Sequence, residues 1–239
     1  MAFSFAFLPR FSYICRRINQ LHHAMTIHPL WTDEYWLLLM QLYLRKPVGL
    51  KPTYSRAMVG LALELHIPPT FLHEQMFRLR HKPTPALAQL WETYGGNRRR
   101  LDQEAKKVRR MMGFGRAKNF YAGVDVVETF EKSFQPLDGN TALKPVSLIM
   151  ALDLYFRLTP ITMVARTPEV KELAKLLGLK PEQLVGLLEI FQSLDPYLNR
   201  PAAEPSPLLS ACQEVWQQYG NDHPDRLSAL AAQLREYFV

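Results

Sequence analysis

Residues Arg166–Pro196 read RTPEVKELAKLLGLKPEQLVGLLEIFQSLDP. Thr167 followed by Pro168 marks a helix start: a hydroxyl that can cap free N–H groups, then the residue whose missing N–H costs nothing in a first turn. Val170, Leu173, Ala174 and Leu177 follow at helical spacing. Gly178 ends the run, where a left-handed residue closes a helix at little cost. Pro181 opens a second helix that carries Leu184 and Leu187 and runs toward Asp195 and Pro196. Two helices joined by so short a turn, with small Ala174 where they approach and glycine in the turn, describe a helix-turn-helix. Any helical hairpin with a tight turn satisfies the same pattern, so spacing alone leaves both readings open.

The flanking sequence is also helical. SLIMALDLYFRL places Leu148, Leu152, Tyr155 and Phe156 on one face, and Pro160 stops that helix. Two further helices start near Leu208 and Pro224. Alternation of strand length is absent, although a short strand has room to hide in VDVVETF, Val124–Phe130.

The same pattern occurs earlier in the chain. A shift of 112 residues brings Leu42-Tyr43 onto Leu154-Tyr155, Arg45 onto Arg157, Leu61-Ala62 onto Leu173-Ala174, Pro69 onto Pro181 and Leu72 onto Leu184. A shift of 125 brings Trp91 and Tyr94-Gly95 onto Trp216 and Tyr219-Gly220, which puts a 13-residue insertion around Pro201–Pro207. The expected fold is all-α: a tandem duplication of a domain of about five helices, each copy with a helix-turn-helix. Copy A spans 30–115, a less regular linker 116–142, and copy B 143–239. In copy A, His66 stands at the turn glycine's position, which histidine tolerates at a cost, and Gln75 stands where copy B has Leu187.

Composition bounds the rest. With 239 residues, 48% apolar and 21% charged, the chain is globular and has room for two domains. Its two cysteines, Cys15 and Cys212, lack ligand spacing and point to a reducing, cytoplasmic setting rather than disulfides or zinc. No apolar run approaches the roughly 18–20 residues that span a bilayer. Residues 1–24 carry Arg10, Arg16 and Arg17, and the first acid is Asp33. That segment reads as an upstream extension before a true start at Met25, or as an organelle transit peptide.

The stretch Arg166–Pro196, preceded by ALDLYFRL and followed by EVWQQYGND, resembles the helical module that precedes HNH nuclease domains in bacterial restriction-endonuclease-like proteins. Its sharpest pieces are Phe191, Leu194-Asp195-Pro196 and Trp216, and through the repeat the likeness extends faintly to copy A. The resemblance implies a DNA-associated helical domain. It implies no nuclease, because the HNH histidine and asparagine constellation is missing. The family's third helix carries serine, lysine and asparagine where this chain has Gln183, Leu187 and Ile190, which weakens base reading by copy B.

The charge locates a candidate surface. Between Arg98 and Lys118 lie nine basic residues, Arg98, Arg99, Arg100, Lys106, Lys107, Arg109, Arg110, Arg116 and Lys118, against Asp102 and Glu104. That segment carries the whole formal charge of +7, whereas copy B from Thr141 onward is net −2. Read as one helix, it buries Leu101, Ala105, Val108 and Met112 and turns Lys106, Lys107, Arg109 and Arg110 outward. Arg78, Arg80 and Lys82 end the neighbouring recognition helix. These twelve cations suit phosphate contacts, so the expected partner is DNA, held mainly by its backbone.

Catalysis has little to stand on. The histidines at 22, 23, 28, 66, 73, 81 and 223 are scattered, no phosphate-cradling glycine loop occurs, and no cofactor or metal is expected. Trp91, Tyr94, Trp216 and Tyr219 read as core anchors at i, i+3 spacing, or as a base-stacking platform. The other functional class is an interaction module: copy B, acidic and apolar along its third helix, docking a protein. The copies also have the option of packing as a pseudo-dimer within the chain.

Overall fold

Proline sets most of the boundaries. The computed structural model describes residues 28–115, 129–137, 143–201, 203–221 and 223–239, which form eleven α-helices and no strand. Seven of these helices have proline in the first turn, where its lost N–H would be unpaired in any case. The N-terminal half holds α1 (Tyr35–Leu44), α2 (Arg56–Leu65), α3 (Pro69–His81), α4 (Pro85–Tyr94) and α5 (Arg98–Arg110). A short α6 (Thr129–Phe134) lies between the halves. The C-terminal half holds α7 (Pro145–Arg157), α8 (Pro168–Leu177), α9 (Pro181–Leu194), α10 (Pro207–Tyr219) and α11 (Pro224–Leu234), and ends in a 3₁₀ turn, Arg235–Tyr237.

Each half closes its own core. In the first, α1 packs on α3 and α5, α2 on α3, and α4 on α5, enclosing Leu39, Met58, Leu72, Met76 and Leu101. In the second, α7 packs against α8, α9, α10 and α11, and every residue from Val146 to Tyr155 is buried. A helix apolar on nearly all sides belongs at the centre of its layers. The expected single face was too narrow, and Phe156, assigned to it, is 42% exposed.

The helix limits follow the sequence offsets. Helices α2 and α8 are each ten residues long, and both their starts and their ends lie 112 residues apart. Both close on a left-handed residue, His66 at φ 57° and Gly178 at φ 71°. Helices α4 and α10 end 125 residues apart, at Tyr94 and Tyr219. The link from α3 to α4 covers residues 82–84, whereas that from α9 to α10 covers 195–206.

Three expectations need correction. The basic helix stops at Arg110, so Met112 is not in its buried stripe but 99% exposed. Of the stretch Val124–Phe130, the described part is helical and begins α6, while residues 124–128 lie outside the described residues. On α9, Leu187 is 2% exposed and Ile190 half-buried, so the apolar residues expected to dock a partner there serve the core.

The halves meet through unlike surfaces. Val59 of α2 joins the core of the C-terminal half. Phe134 is buried between Tyr54 and Tyr237, with ring centroids 6.3 and 5.0 Å away. Arg56 Nε donates across the junction to the Tyr237 carbonyl at 3.4 Å, while Lys144 Nζ, within the C-terminal half, donates to the Tyr237 hydroxyl at 2.6 Å. A two-fold pseudo-dimer would pair equivalent faces. Here α2 of one half meets the C-terminal turn of the other.

Candidate nucleic-acid interface

The first-half hairpin is built by its turn. Ser55 caps α2 by accepting from Met58 N, and α2 ends at His66 in the left-handed region. The His66 ring compensates by bonding to neighbouring segments: Nδ1 lies 2.7 Å from Glu131 Oε1 and Nε2 lies 3.0 Å from the Gly115 carbonyl. Ile67 and Leu72 are fully buried behind the turn, which fixes α3 across α2.

Helix α3 presents a poor face for base edges. Its exposed positions include Thr70, Glu74 and Phe77, and Phe77 packs on His81 at 4.3 Å between ring centroids. None of these offers the bidentate donor fork that reads guanine or adenine. The cations instead gather at its C-terminal end: Arg78 half-exposed, Arg80 and Lys82 exposed.

Helix α4 then connects these cations to α5. Lys82 Nζ sits 5.0 Å above the Trp91 ring, and the Arg100 guanidinium 5.5 Å above the Tyr94 ring. Trp91 and Tyr94 are one turn apart, so residues from α3 and α5 stand side by side on one helix face. The indole is pinned from behind, because Nε1 donates to the Leu79 carbonyl at 2.7 Å and Tyr43 meets the ring edge-on. With cations over both rings, these aromatics support the charges rather than offering open faces to bases.

Helix α5 buries Leu101, Ala105 and Val108 and exposes Arg98, Arg99, Arg100, Lys106, Lys107 and Arg110. The two acids of the segment are otherwise engaged. Asp102 accepts from Gln41 Nε2 at 2.6 Å, and Glu104 pairs with Lys107 at 2.8 Å. Arg98, Arg99, Lys106 and Arg110 make no ion pair among the described residues. Three arginines in the first turn stand against the positive end of the helix dipole, and an approaching anion relieves that repulsion.

Arg109 does not belong to the free set. Its guanidinium binds Glu64 through two hydrogen bonds, at 2.5 and 3.1 Å, and Gln41 Oε1 at 3.0 Å. It ties α5 to α2 and α1, so its place on the outward face was wrong. Arg116 and Lys118 lie outside the described residues. Sequence reads Trp91 and Tyr94 as core anchors or as a base-stacking platform, and does not reveal that they hold Lys82 and Arg100. The signal was their i, i+3 spacing between two basic segments.

The C-terminal half offers less. Gln183 Oε1 accepts from the Lys180 backbone N–H at 2.9 Å, and Leu187 lies in the core. Trp216 packs on Tyr155, Phe156 and Phe191. Burial, then the hydrogen bond to Asp195, pushes the Tyr155 phenol well above its ordinary range. Burial lifts the Cys212 thiol to about 12. No family model, curated protein or solved structure matches the chain. Among the described residues no three His, Cys, Asp or Glu side chains converge as a metal cage, and no helix is long and apolar enough to cross a membrane.

Proposed function

We propose that the chain is a non-catalytic, duplex-DNA-binding protein whose N-terminal half grips the phosphate backbone, and that its halves arose by tandem duplication of a helix-turn-helix domain akin to the HNH-associated module. The observation that carries the reading is the continuous basic edge running from Lys82 over Trp91 and Tyr94 to Arg100 and along α5. Phosphates are recognised by such exposed guanidinium and ammonium groups, whereas the outward residues of α3 favour no base. The duplication rests on the matched helix limits and left-handed caps at an offset of 112.

The test is binding of the full chain to a random-sequence duplex across a salt series. Affinity should fall with log salt at about −0.9 per contacted phosphate, with little change between sequences. Salt-independent binding, or none at low salt, would reject the reading. Exposed Ile161 and Tyr197, at 89% and 92%, favour a second reading in which the C-terminal half docks a protein. Capture of a specific partner by a chain that ignores DNA would establish that reading instead.

A further inference from the structure

Away from the basic edge, α6, α7, α10 and α11 line a half-open cavity of 620 Å3, into which the N-terminal half contributes Tyr54. Small-molecule sites commonly measure roughly 300–1,000 Å3 and form where structural units meet. The inner wall is apolar, from buried Val146, Ile149 and Val215. Phe134 closes one side, its ring only 27° from parallel with that of Tyr54. Surfaces of this kind take flat apolar groups.

The polar groups narrow the ligand further. Tyr54 and Tyr219 both line the cavity and are half-buried, and neither hydroxyl makes a hydrogen bond among the described residues. Burial holds both phenols above their ordinary range, and Tyr54 adds to the effect on Tyr219, so the two hydroxyls are within electrostatic reach of each other. Both hydroxyls keep contact with solvent, so a ligand that supplies a donor or acceptor takes the place of water there. At the rim, Lys132 and Glu214 pair at 3.2 Å, so the cavity presents no net charge to an ionic ligand.

We propose that this cavity binds an uncharged, flat, mainly apolar small molecule carrying one hydroxyl or carbonyl group, which hydrogen-bonds to Tyr54 and Tyr219. Such a ligand touches the N-terminal half, the connector helix and the C-terminal half at once. It therefore stabilises their junction by linkage.

The probe is 1-naphthol, a flat apolar bicycle with one hydroxyl, titrated calorimetrically into the full chain. Saturable one-to-one binding and a rise in melting temperature are expected. Ala211→Phe projects a ring from a half-buried wall position and should weaken binding about tenfold or more. Tyr219→Phe keeps the ring, loses only the hydroxyl, and should weaken binding roughly three- to tenfold. Should Ala211→Phe fail to fold, Tyr219→Phe decides alone. Absence of saturable binding, or unchanged affinity in the variants that melt like the parent, overturns the proposal. None of these readouts involves DNA.

Discussion

Gly95 and Gly220 show what one missing methyl does. Both are in right-handed helical conformation, so left-handed geometry is not the reason for glycine. A Cβ on Gly220 would lie 2.6 Å from the Trp216 carbonyl oxygen and 3.0 Å from its indole, and Gly95 stands in the same relation to Trp91. The recurrence of Trp-x-x-Tyr-Gly is legible in the sequence, whereas the close approach is not, because spacing does not give the tilt of an indole. Gly220→Ala should cost about 1–3 kcal/mol, read as a lower denaturation midpoint with unchanged m-value. A stability equal to that of the parent would show that the indole moves aside freely. Arg109 and Arg110, adjacent in sequence, separate in the same way. Arg109→Ala should lower stability by on the order of 1 kcal/mol and leave the salt slope of DNA binding alone, because its guanidinium faces Glu64. Arg110→Ala should do the reverse. Tyr155 predicts a pH effect. Its folded-state proton is held above the ordinary value of 10.0, so the unfolded chain loses its proton first and stability falls as pH rises through about 10. Comparing urea midpoints of the parent and Tyr155→Phe from pH 8 to 11 isolates this group. A difference between them that does not change with pH would discard the assignment.

At the scale of elements, what could be read was the punctuation. Proline at first turns and a left-handed residue after α2 and α8 placed the hairpins of both halves correctly, because these are local backbone requirements. Extent and facing were less legible where tertiary contacts decide them. Helix α7 looked amphipathic and is buried almost throughout, since α6, α8, α9, α10 and α11 all pack against it. The basic run looked like one long helix and stops at Arg110, with Met111 already extended at ψ 144°. What survives on α5 is a stripe of Arg99, Lys106 and Arg110, all exposed and opposite Leu101, Ala105 and Val108. It spans about 16 Å along the axis at 1.5 Å per residue. Changing all three to alanine keeps a good helix former at exposed sites, so helicity should hold. The salt slope on duplex DNA should flatten by about two to three units if each contacts a phosphate. A slope that stays put with helicity preserved would remove α5 from the interface.

At the scale of the molecule, the two halves resemble each other in helix order and differ in surface. The N-terminal half carries the cation edge supported by α4, while the corresponding turn of the C-terminal half spends Gln183 on its own cap and Leu187 on its core. Net charge foreshadowed that division, but not the asymmetric junction, because pairing of α2 with the C-terminal turn depends on Phe134 and Tyr237, whose roles spacing does not announce. The asymmetry predicts where binding resides, and the test must keep the chain whole, since Val59 is part of the second core and truncation would expose it. The C-terminal half has its own exposed cations beside the hairpin turn, Lys171, Lys175 and Lys180. If both halves lay on DNA alike, neutralising these three would flatten the salt slope as much as neutralising Arg99, Lys106 and Arg110. Placement in the N-terminal half predicts otherwise: the lysine triple variant keeps the parental slope within about half a unit, while the α5 variant loses two or more. The comparison holds the number of removed charges constant, so a general loss of positive field cannot produce the difference. Equal flattening by both sets would mean that the duplex is shared between the halves, and the division of labour argued here would fall.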